Sequence, residues 1–200
     1  MNVRLKDELS FTAGVYYDNQ VLMNNYQVRV NMTTNSSDSR YVNVARDRML
    51  WFLRGALQSS IFIKNENQTK WEEFAQVGLT VTTFPEEPVD QIVGLMLYCK
   101  LNAIMEKHIT VTDIEVSSEI GDGCWYPHSQ SESVGPFNND GWWNSGEPTQ
   151  SDRLANKNKR VVKLYNSTNW HDLELSWPAD DEDISDNVVI KSFTPKTDEN

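Results

Sequence analysis

Three carboxylates stand at odd-numbered residues of the stretch TDIEVSSEIG, Asp113, Glu115 and Glu119, interleaved with Ile114, Val116 and Ile120. In an extended strand successive side chains point to opposite faces. The acids and Ser117 would therefore share one face, and the aliphatics the other. Clustered carboxylates suit hard cations such as Mg or Ca, which take several oxygen ligands. A metal held there could orient a water for hydrolysis, with His128 as acid or base. Strict alternation is also what any half-exposed strand shows. The sequence contains no HExxH, no EF-hand loop and no paired-histidine pattern, so no metal ligands are assigned. Read another way, the same acids display negative charge to a basic protein groove.

The neighbouring stretch GDGCWYPHSQSE brings Cys124 and His128 four residues apart. These types form nucleophile and base pairs, but nothing beside Cys124 would activate it, and no nucleophile elbow surrounds Ser131 or Ser133. The stronger signal is aromatic. From Gly121 to Gln150 the chain carries Trp125, Tyr126, Phe137, Trp142 and Trp143, with no Lys or Arg. Glycines open turns closed to other residues, and Pro127, Pro136 and Pro148 restrict the chain between them. Adjacent Trp142 and Trp143 cannot easily both face inward on a strand, so one of them is expected to be partly exposed, and an exposed Trp is a good interface anchor.

These segments need elements to position them. GVYYDNQVLMNNYQVRVNMTT reads as strand, turn and strand, with Val28, Val30 and Met32 alternating inward. VNVARDRMLWFLRGALQSS reads as a helix with Met49, Leu50, Leu53 and Leu57 on one side. SSIFIKN and LTVTTF read as short strands. Between them TKWEEFAQVG is a short helix, with a capping box at Thr69 and Glu72 and a stop at Gly78. VDQIVGLMLYCKLNAIMEK is the most apolar helix, and HITVTDIEVSSEIG the clearest strand. RVVKLYNS, WHDLELSW and NVVIKSF suggest three more strands. The order predicts an α+β fold: one domain over residues 1–178, with an antiparallel or mixed sheet on two main helices and a long Gly/Trp-rich loop. Residues 179–200 read as an acidic segment with an edge strand.

At 200 residues the chain is long enough for a core without metal or disulfide. Its net charge of -11 disfavours a broad nucleic-acid footprint. From His171 onward nine acids face two bases, centred on DDED at 180–183. The basic run of Arg153, Lys157, Lys159, Arg160 and Lys163 reads as a charged turn. Cys99 and Cys124 match no zinc or disulfide framework. MNVRLKDELSF has no apolar signal core, and no window approaches a membrane span. A cytoplasmic setting is expected, the host's cytoplasm if the protein is viral.

The expectation from sequence is a non-enzymatic, acidic protein-binding accessory protein, of the kind a large DNA virus or bacteriophage makes to inhibit a host factor or build an assembly. Trp125, Tyr126, Trp142, Trp143, Glu115 and Glu119 would form its binding surface. Its partner would be a basic protein or a second copy, without cofactor, nucleic acid or membrane. The alternative is a metal-dependent hydrolase or phosphodiesterase using Asp113, Glu115 and Glu119.

Overall fold

The structure is a computed structural model, and it describes residues 3–150 and 169–179. Strand β1 (Arg4–Tyr17) and strand β2 (Gln20–Thr34) pair antiparallel along their whole length, from Arg4 opposite Thr33 to Tyr17 opposite Gln20. Asp18 and Asn19 join them with φ of 48° and 60°. Asp and Asn tolerate this left-handed region, and such a turn matches the twist of a hairpin. Phe11, Ala13, Tyr26, Val28, Val30 and Met32 point into the main core, as the alternation predicts.

Helix α1 (Ser39–Trp51) starts at Asp38, whose carboxylate accepts the Arg40 N–H at 2.8 Å. It runs into a π-helical stretch, Phe52–Leu57. Met49, Leu53 and Leu57 are buried. Strand β3 (Ile61–Lys64), helix α2 (Gln68–Gln76), strand β4 (Val81–Phe84), helix α3 (Asp90–Ile104), strand β5 (Ile109–Ser118) and strand β6 (Tyr126–Ser129) follow. The six strands form one sheet in the order β4-β3-β1-β2-β5-β6. β3 runs parallel to β1 and β4, and the other pairs are antiparallel. The mixed α+β architecture is the one expected.

α1 and α3 close the core side of the sheet, where Val93, Met96, Leu97 and Leu101 of α3 meet Val28, Ile114 and Val116. α2 covers a smaller cluster on the other side, with Trp71 and Phe74 against Tyr16, Ile61, Ile63 and Val81. α2 ends before Gly78, whose φ of 86° suits a helix stop. The expected capping box is not made. The helix starts at Asn67 without a side-chain cap, and Gln68 instead donates to Glu72 at 2.8 Å.

WHDLELSW is not a strand. It is a turn followed by an unpaired segment, with Glu174 at φ 59° breaking the extended path. Side-chain contacts hold it instead. Arg48 Nε donates to the Leu175 carbonyl at 2.9 Å, and its guanidinium lies 3.8 Å from the Trp177 ring centre. The strands proposed in RVVKLYNS and NVVIKSF, the DDED run and the basic run from Arg153 to Lys163 lie outside the described residues. No described helix is long and apolar enough to cross a membrane.

Candidate functional site

The carboxylate row does not make a ligand set. β5 ends at Ser118, so Glu119 lies beyond the strand. Glu115 faces Arg29 across the β2–β5 ladder and pairs with it at 3.4 Å; Arg29 also reaches Glu8 at 3.6 Å and stacks 3.8 Å from the Trp125 ring centre. Glu115 and Trp125 are thus joined through one arginine. Among the described residues no group of three or more His, Cys, Asp or Glu could hold a metal ion. Cys124 and Cys99 are both free thiols; Cys124 is exposed, and burial pushes the Cys99 thiol up to about 11. His128 is buried on β6 against Tyr98, with Glu132 3.6 Å from its Nδ1. Burial lowers its pKa, and the Glu132 charge opposes that shift.

The tryptophan pair keeps one ring, Trp142, partly exposed and buries the other, Trp143. Trp142 and Trp143 sit in a 3₁₀ turn, not a strand, and the turn lets both rings pack inward. Trp143 is 5% exposed and donates its Nε1 proton to the Phe137 carbonyl; Trp142 is half-buried and donates to the Thr83 carbonyl at 3.0 Å. Lys100, fully buried on α3, fixes the turn through the carbonyls of Trp142, Ser145 and Glu147. Of the aromatic residues proposed from sequence, Tyr126 is the exposed one, at 40% exposure, and Glu119 is exposed as well.

Tyr126 leads to the site that the sequence did not reveal. It lines a cavity of about 540 Å³ with Val15, Tyr17, Leu22, Val89 and Ile120, and with the polar groups Asn24, Glu87, Asp90 and Gln91. Three elements converge there: the turn end of the β1–β2 hairpin, the start of α3, and the turn after β5. This size and largely apolar wall with a few polar groups are typical of small-molecule pockets.

Asp90 is the key group. It is 6% exposed and occupies the first turn of α3, where the helix dipole favours an anion. Ser118 Oγ donates to its two oxygens, at 2.7 and 2.9 Å, and accepts the Gly121 N–H at 3.1 Å. The approach is close enough that a Cβ at Gly121 would run into Asp90 Oδ2. Asn24, 2% exposed, accepts the Ile120 N–H at 3.0 Å. Tyr26 is fully buried nearby, and its hydroxyl has no hydrogen-bond partner. Its pKa is raised above the usual phenol range, first by burial and further by the Asp90 charge, while Asn24 offsets part of the rise.

No family model matches the sequence, and no curated protein matches it significantly. Solved structures do show similarity. The uncharacterized protein WS1659 from Wolinella succinogenes matches at 11% identity over 66% of this chain and 99% of that one, with a TM-score of 0.44. A catalytic-residue mutant of the 6-pyruvoyltetrahydropterin synthase of Plasmodium vivax matches at 11% identity over 64% and 97%, with a TM-score of 0.41. The Caenorhabditis elegans 6-pyruvoyl tetrahydropterin synthase matches at 12% identity over 66% and 97%, with a TM-score of 0.39. The expectation of a non-enzymatic accessory protein, with its viral, bacteriophage and inhibitor readings, is corrected by this finding: the matched chains with a named activity are synthases. The matches lie at 10–12% identity, and no residue role is carried across from them.

Proposed function

We propose that this protein binds a small, flat molecule bearing adjacent N–H donors, with Asp90 as the group that recognises it. One observation carries the reading: a nearly buried carboxylate at an open cavity, both of whose oxygens share a single donor among the described residues, Ser118 Oγ. An ionised carboxylate offers about four acceptor positions. A buried polar group left short of partners is costly. A ligand with two neighbouring N–H groups, as in an aminopyrimidinone ring, meets that need. Tyr17, Leu22, Ile120 and Tyr126 supply apolar surface for its ring. The same carboxylate is placed to take a proton from a bound ring nitrogen and return it, which is the acid–base work an enzyme site would ask of it.

The test is binding of 2-aminopyrimidin-4(3H)-one, whose ring N–H and amino group are neighbouring donors, followed by calorimetry, to the wild type and to Asp90→Asn. The substitution keeps the shape but turns one acceptor oxygen into a donor. Binding by the wild type and a loss of about 10- to 100-fold in the variant are expected, the worth of hydrogen bonds to a charged group. Gly121→Ala should weaken binding too, by displacing the carboxylate. Equal affinity in a folded Asp90→Asn protein, or no binding by the wild type, overturns the reading.

A further inference from the structure

A second cleft of about 350 Å³ adjoins the cavity, lined by Tyr16, Tyr17, Asp18, Asn19, Asn67 and Glu87. Tyr17 and Glu87 line both spaces, so the two are immediate neighbours. Their characters differ. The first has mostly aliphatic and aromatic walls; the second combines two tyrosines with two carboxylates and two amides. Among the described residues, no Lys, Arg or His lines either space.

The second cleft is built on a fixed frame. Asp18 and Asn19 form the tight β1–β2 turn, and the Tyr16 hydroxyl donates to Asn19 Oδ1 at 3.0 Å. The Tyr16 ring is 8% exposed and packs edge-on against Phe74. The Asp18 and Glu87 side chains make no ion pair within 4 Å among the described residues. The basic groups nearby are engaged elsewhere: Lys64 pairs with Glu66 and Glu86 and acts on Glu87 only at longer range, and Lys70 pairs with Glu73 at 2.9 Å.

From this adjacency we propose that the ligand has two parts: the flat N–H-bearing head at Asp90, and a short tail ending in a protonated amine that lies in the Tyr16–Tyr17–Asp18–Glu87 cleft. Aromatic faces and carboxylates both attract an ammonium group. The same lining rejects a phosphorylated tail, because a phosphate would meet two carboxylates and no cation. This inference rests on the reading of the first cavity as the head site.

Three probes separate the two claims: 2-aminopyrimidin-4(3H)-one, the same ring with an aminopropyl chain, and the same ring with a propyl phosphate chain. Calorimetry on the full chain should show the amine probe binding at least about fivefold tighter than the bare ring, the gain expected of a cation at aromatic and acidic groups. The phosphate probe should bind more weakly than the bare ring. Asp18→Asn, which keeps a residue suited to the left-handed turn, should remove much of the amine gain and leave binding of the bare ring unchanged. Bare-ring binding without an amine preference, or a preference for phosphate, overturns the two-part ligand alone. Failure of all three probes overturns the head site and this inference with it.

Discussion

Lys100 shows at single-residue scale how the turn-rich segment is held. Its ammonium group, fully buried, has carbonyl oxygens at 3.0, 2.9 and 2.7 Å from Trp142, Ser145 and Glu147. An ammonium has three N–H donors and so serves all three carbonyls. Burial nevertheless pulls its pKa down to about 7, with the Glu147 charge opposing. The folded value lies below the unfolded one near 10.5, so the folded chain binds fewer protons between about pH 7 and 10.5. The cost of burying this charge is therefore fullest below pH 7 and is relieved as pH rises through that window. Lys100→Met lacks the titration. Urea unfolding should show the wild type gaining stability relative to the variant between pH 7 and 9, and a constant difference would contradict the assignment. The sequence showed the tryptophans but not their anchor. Lys100 sits within an apolar helix and reads there as an ordinary exposed position. Trp142 and Trp143 turn inward because the 3₁₀ turn removes the two-sided constraint that a strand would impose.

Among the elements, the segment 169–179 depends on one buried arginine. Arg48, 2% exposed, donates to the carbonyls of Leu175 and Ile104, pairs with Glu106 at 2.8 Å, and lies between the rings of Trp177 and Trp170. Trp177 closes the set by donating to Glu106 Oε2 at 2.8 Å. Arg48→Ala should cost about 2–3 kcal/mol, from lost charged hydrogen bonds and lost packing. It should also expose the bonds around Trp170 and Trp177 to chymotrypsin. Unchanged stability and unchanged cleavage would show that the segment is held by other contacts. The elements with a clear period were legible: the β2 and β5 alternation, the apolar sides of α1 and α3, and the glycine stop of α2. The first half of β1 was not, because Lys6, Asp7 and Glu8 interrupt a half-buried pattern. WHDLELSW misled for the opposite reason. Its alternation is real, but its tryptophans pack on an arginine and not on a sheet.

At the scale of the whole molecule, the charge of -11 and the acid-lined cavity act together. Both favour neutral or cationic ligands. The affinity of the aminopropyl probe should therefore fall as salt is raised from 0.02 to about 0.3 M, because the Debye length shortens from roughly 20 Å to about 6 Å. Affinity for the bare ring should stay nearly constant, and parallel salt dependence of the two would count against the electrostatic part of the account. The cavity was the least legible feature. Its walls come from three separate segments around residues 15–24, 87–91 and 120–126, which only folding brings together. Asp90 reads from sequence as an acid at a helix start, and its link to Ser118 and Gly121 spans the α3–β5 crossover. Whether Asp90 receives a ligand's N–H groups is decided by a crystal structure with 2-aminopyrimidin-4(3H)-one bound. The account predicts the ring in the cavity between Tyr17 and Tyr126, with N–H donors about 3 Å from the Asp90 oxygens. A ring bound elsewhere, or one in the cavity that leaves Asp90 uncontacted, would contradict it.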